Sequence, residues 1–236
     1  MTSLLAGGGT GSIVGLITCF GVSPVTRSLT FLIRWMIQQT VSTRESFSPF
    51  PLVAAFGWGC LSCWSSKVGY YHAVHLPLIL LELEGGRGSF LGAVDELTLI
   101  MVCAGVCAAV ALTTDSVSDQ ALCKRGLLIN LMAGDFVEVC YPYMAKSAWI
   151  NLAGYLASGM SCAVLVHLSD PGQGAPVSFA YLPFPVAVAL ADNNWWAMLC
   201  ASFVAFFIPF GVGLIVSPLM ETSKEELSNV DKKEDN

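Results

Sequence analysis

Carboxylates, imidazoles and thiols set inside apolar sequence are the residues of this chain with chemistry to offer. Asp135 and Glu138 fall one helical turn apart in Gly126-Leu-Leu-Ile-Asn-Leu-Met-Ala-Gly-Asp-Phe-Val-Glu-Val-Cys-Tyr-Pro-Tyr. On a helix both project from one face, which must then line water or meet a cation, because ionisable groups within apolar spans are costly. The pair is expected to attract cations or relay protons; the structural alternative is a pair satisfied by Asn130 and the tyrosines. Asp95 and Glu96 are expected at a helix start, reaching the interface or capping it. Lys67 closes the polar run Ser62-Cys-Trp-Ser-Ser-Lys67 and is expected to snorkel to lipid phosphates or to meet an acid.

Other constellations point less far. His72 and His75 share a helix face, but a metal site needs three or four ligands and His167 is the only other histidine. Cys60-Leu-Ser-Cys63 has redox spacing, without a proline between the cysteines or a second exposed pair to shuttle electrons. Gly7-Gly8-Gly9-Thr10-Gly11 lacks the lysine of a phosphate loop, and no nucleophile elbow or zinc-binding helix appears. No metal or cofactor is expected.

The elements that must position these groups are apolar helices. Of 236 residues, 55% are hydrophobic and 12% charged, and the mean hydropathy is +0.67, which excludes an ordinary soluble domain. The formal charge of -6 owes much to the terminal run from Glu221, expected to be a solvated tail over 218–236. Without a basic face, nucleic acid is not an expected ligand class. Nine cysteines, eight of them in apolar stretches, read as small hydrophobes rather than a disulfide framework. The apolar N-terminus has no Lys or Arg before Arg27, so it is not read as a cleaved signal.

Hydropathy and breakers place segments of an all-α bundle over 1–217: 1 within 12–39, 2 at 52–71, 3 at 94–113, 4 at 126–144, 5 at 148–168, 6 at 177–191 and 7 at 195–217. The piece 75–83 is too short to cross and reads as re-entrant or interfacial. About seven transmembrane helices are expected, eight if residues 13–22 form a span of their own. The lysine and arginine bias then puts the C-terminus in the cytosol. Seven spans divide as an inverted 3+3 repeat plus one, and the middle helix of each triple is where a substrate path belongs. Segment 2 holds Gly57, Gly59 and Gly69, and segment 5 holds Gly154 and Gly159. These glycines either interrupt the helices beside a wet path lined also by Ser62, Ser65, Ser66, Ser158 and Ser161, or bring helices into close contact.

The three-three-one plan resembles the trimeric intracellular cation channel family of reticulum membranes. The run from Ala189 to Phe207, with Trp195-Trp196 before Ala201-Ser202 and phenylalanines, is similar to the family's turn between its last two helices. Ala153-Gly154-Tyr155-Leu156-Ala157-Ser158-Gly159 resembles its fifth-helix glycine motif, and Thr222-Ser-Lys-Glu-Glu-Leu-Ser228 its tail. The resemblance implies a homotrimer conducting monovalent, potassium-like cations across an endoplasmic or sarcoplasmic reticulum membrane through segments 2 and 5. Where the family carries a phosphoinositide-holding lysine, this chain has Ala157 or Ser158, which leaves Lys67 as the lipid-binding candidate. Two other classes stay open: a non-conducting accessory subunit of a larger organellar membrane complex, and an intramembrane enzyme acting on a lipid with His72, His75, Asp135 and Glu138 as acid-base groups.

Overall fold

In the computed structural model the described residues are 50–83, 90–134, 136–169, 182–191 and 194–234; segment 1 and Asp135 lie outside them. The described residues are overwhelmingly helical and include no strand. In chain order, α1 is Phe50–Val68, α2 Tyr71–Leu83, and α3 joins Phe90–Asp95 to Val102–Thr113 through a π-helical turn over Glu96–Met101. Then come α4, Val117–Ala133, a 3-10 turn Val137–Cys140, α5, Tyr141–Lys146, and α6, Ala148–Leu168. The short α7, Phe184–Leu190, precedes α8, Trp195–Glu234.

Three stretches are long and apolar enough to cross a membrane: Leu91–Thr113, Ala148–Leu168 and Trp195–Pro218. Each has the twenty-odd residues that a bilayer core demands. Leu91–Thr113 is the axis of the bundle, with its side chains almost wholly enclosed. Against it pack α8, α4 and α6, and α6 in turn packs on α1 and α8. The outer helices show apolar stripes to the outside, Val53, Leu61, Trp64 and Val68 on α1 and Trp149, Leu152, Leu156 and Met160 on α6. Residues spaced by three and four lie on one face, so these helices are apolar both toward the bundle and away from it, as a lipid-facing helix is.

The segment boundaries read from hydropathy hold best where a cap marks them. Segment 5 coincides with α6, whose N-cap Ser147 accepts from the Ile150 N–H at 3.3 Å. Segment 4 is corrected. Residues 126–144 are not one helix, because α4 ends at Gly134, whose φ of +66° is left-handed and whose N–H donates to the carbonyls of Ile129 and Asn130. The described part of segment 6 forms only a seven-residue helix, too short to cross. In α8 the helix runs on through Pro218 to Glu234, into the sequence expected to be a tail.

Candidate functional site

Segments 2 and 5 meet as α1 and α6, and their glycines lie at the crossing. A Cβ on Gly59 would stand 2.3 Å from the Ser158 carbonyl oxygen and 2.9 Å from Cys162 Sγ; one on Gly159 would stand 2.7 Å from Cys60 Sγ and 2.8 Å from the Phe56 ring. Two glycines on facing helices thus let the backbones touch, the small-residue mode of helix association. Gly57 lies on the outward face with open space above it, and Gly154 packs on the Met144 methyl.

The serines expected along a path are instead used within the bundle. Ser158 Oγ donates to the Thr98 carbonyl at 2.9 Å, within the π turn of α3, and Ser161 Oγ donates to the Ser158 carbonyl at 2.9 Å. Both are fully buried. A π turn disturbs the regular ladder, and Ser158 supplies a donor there. Ser62 and Ser65, 3% exposed each, hold the two ring nitrogens of His75, at 3.0 Å to Nε2 and 2.9 Å to Nδ1. The Ser65 hydroxyl already donates to the Ser62 carbonyl, so it accepts from Nδ1–H, while Ser62 donates to Nε2. That fixes a neutral Nδ1–H imidazole, which also stacks on Tyr71 and lies 5.1 Å from Trp58. Burial pushes the His75 pKa down to about 4. The network pins α2 onto α1.

Chemistry-bearing groups open to the outside gather at the neighbouring cavity. Its volume is about 360 Å3, and Ser66, Lys67, His72, Asp95, Glu138 and Tyr141 line it beside Gly69 and Gly134. Lys67 turns inward, its Nζ donating to Asn151 Oδ1 at 2.6 Å and lying 5.9 Å from the centre of the Tyr155 ring. Ser66 hydrogen-bonds Tyr141. Glu138 is exposed at the cavity wall, in the 3-10 turn after the break at Gly134.

Asp95 and Glu96 depart from the expected helix start. The helix begins at Phe90, so both carboxyls lie inside it, Asp95 at the cavity and Glu96 with no exposed surface. Glu96 Oε1 accepts from the Leu182 N–H at 3.2 Å, and its Oε2 has no partner among the described residues. The sequence signal that marks Glu96 is a carboxylate within a run that stays apolar on both sides.

The remaining candidates do not converge. His75 is sealed, whereas His72 and His167 are exposed, and among the described residues no three His, Cys, Asp or Glu side chains are placed to hold a metal ion together. The redox-spaced pair is two free thiols, Cys60 donating to the Tyr155 carbonyl at 3.2 Å and Cys63 buried. No family model, curated protein or solved structure matches the chain. The likeness to trimeric intracellular cation channels therefore rests on the order and spacing of the residues quoted above.

Proposed function

We propose that this helical membrane protein is a non-conducting accessory subunit of a larger membrane complex, contributing helix surface rather than a pore. The observation that supports this reading is the closed crossing of α1 and α6, where backbone meets backbone at Gly59 and Ser158 and the expected path-lining serines are spent on internal partners. The outward apolar stripes of α1 and α6 provide surface for neighbours of the same character. Purified protein in planar bilayers is expected to carry no current, and the chain in gently solubilised native membranes is expected to migrate with a complex several times its own mass. A cation-selective current from the pure protein would overturn the reading.

One observation favours a second reading, conduction of monovalent cations by a homotrimer with seven spans in inverted repeats. Asp95 and Glu138 give the cavity beside α1 two carboxyls against one lysine, a composition that draws cations to a mouth. In that reading the α1 and α6 crossing is a shut gate. The same bilayer recordings decide between the two: a current that Glu138→Gln weakens supports conduction.

A further inference from the structure

Where α1 ends and α6 begins, the side chains mark one face of the membrane. α6 is long and apolar enough to cross it, and the bond from Lys67 Nζ to Asn151 Oδ1 sets the last turn of α1 level with the first turn of α6. Trp149 stands 67% exposed at that level, and Trp64 and Tyr70, both exposed, stack with ring centres 6.2 Å apart at the end of α1. Tryptophan and tyrosine rings open to the outside gather at the height of lipid headgroups. The cavity of about 360 Å3 begins at this height, with Lys67, and reaches inward to the buried Asp95.

Irregular backbone surrounds the cavity on three sides. The turn after α1 is left-handed at Gly69, with φ +91°, α4 stops at the left-handed Gly134, and α3 passes through the π turn that carries Leu99 and Ile100. At membrane depth such backbone is tolerated where it is buried in protein or lines a wet cavity, so polar ligands belong in this one. Charged side chains of both signs face it without pairing. Lys67 has Asn151 and Tyr155 as its neighbours and forms no ion pair among the described residues, while Glu138 is open at the wall. A lysine and a carboxyl that share a cavity and do not neutralise each other are the complement of a zwitterion.

We propose that this cavity binds the headgroup of an ethanolamine phospholipid, with the phosphate on Lys67 and the primary ammonium directed to Glu138 and Asp95. The lysine ammonium has three donors, of which Asn151 takes one, and it gives a phosphate charge-assisted hydrogen bonds. The lining disfavours the rival headgroups. Two carboxyls against one lysine repel a net-negative glycerol or inositol headgroup. A choline headgroup has no N–H to give to the carboxyls or to the Ser66 and Tyr141 hydroxyls, whereas a primary ammonium has three. An inorganic cation alone leaves Lys67 without a counter-charge. The volume stands at the small end of ligand clefts, about 300–1,000 Å3, so the cavity takes the headgroup and leaves the acyl chains along the outward stripe of α1 at Leu61 and Trp64. The site does not depend on whether the protein conducts.

The test is a titration of the full chain in detergent with ethanolamine, choline, glycerol and inositol-phosphate phospholipids of identical chains, with bound lipid counted by native mass spectrometry. One ethanolamine lipid per chain is expected, held about 10-fold or more tightly than the choline lipid through hydrogen bonds to its ammonium. Glu138→Gln is expected to abolish that preference, whereas Lys67→Gln is expected to weaken both lipids alike, since both carry the phosphate. Lys146→Gln, at the same end of the bundle with its Nζ 5.3 Å from the centre of the Tyr143 ring and outside the cavity lining, is expected to change neither. Equal binding of ethanolamine and choline lipids, tighter binding of either anionic lipid, or a preference that survives in Glu138→Gln would each overturn the site. Soluble glycerophosphoethanolamine is expected to bind far more weakly than the lipid, and equal affinity would overturn the assignment to a lipid. The comparison of lipids on the unaltered protein needs no variant to fold, so the proposal stays open to refutation if a variant does not.

Discussion

His75 is the residue whose environment is best determined. Both ring nitrogens are engaged by serines of α1, and 4% of its surface is exposed. Its folded pKa of about 4 lies below the unfolded value of about 6.5. The neutral ring therefore contributes stability that is complete above pH 6.5 and is lost as the pH falls toward 4, since in that window the unfolded chain binds the extra proton. The slope is at most about 1.4 kcal/mol per pH unit. Melting temperatures in detergent are expected to fall from pH 7 to pH 4.5 in the unaltered protein and to fall less in His75→Gln; parallel curves would remove His75 as the cause. Glu96 makes a second residue-scale case. Glu96→Gln keeps an acceptor for the Leu182 N–H and is expected to be tolerated, whereas Glu96→Ala orphans that donor and is expected to cost about 1–3 kcal/mol, read from chemical denaturation of the two variants.

At the scale of elements, the crossing of α1 and α6 tests whether contact or conduction explains their glycines. Gly59→Ala puts a methyl 2.3 Å from a carbonyl oxygen of the main chain, and a backbone atom cannot swing aside as a flexible side chain can. The helices must separate, at a cost of about 3 kcal/mol. Gly57→Ala, facing open space in mid-helix, is expected to stabilise slightly through helix propensity. Equal melting temperatures for the two variants would show that the crossing is looser than described.

Elements also show what the sequence made legible. The close-contact alternative for the segment 2 and 5 glycines was readable because small residues recur at helical spacing, and α6 was readable end to end because Ser147 caps it. Segment 4 misled because Gly134 in an apolar run looks like one more small residue; only its positive φ reveals a stop. Asp95 and Glu96 misled for the opposite reason, since acids next to an apolar run resemble a helix start, and the five residues Phe90–Val94 before them are helical too. The Ser62–His75–Ser65 pin joins consecutive helices across the turn at Gly69 and Tyr70, and no spacing within either helix announces it.

The whole molecule presents an environment-dependent prediction, because the outward stripe of α6 has opposite meanings in lipid and in water. Leu156 is 39% exposed on a helix that is long and apolar enough to cross a bilayer, and it lies near the middle of α6. In lipid, a lysine there costs about 2.5–3.5 kcal/mol of insertion free energy, because a charge replaces an apolar side chain at the depth where water is absent. In water the same change would relieve an exposed apolar patch and aid solubility. Leu156→Lys is therefore expected to reduce the fraction of chains resisting alkaline carbonate extraction and to lower the insertion of α6 in a glycosylation-tag assay. Ser161→Ala, changed inside the bundle where the hydroxyl donates to the Ser158 carbonyl, is expected to leave insertion untouched and to lower stability by about 1 kcal/mol. A Leu156→Lys protein that inserts normally, or that becomes soluble with an unchanged melting temperature, would show that this stripe faces something other than lipid.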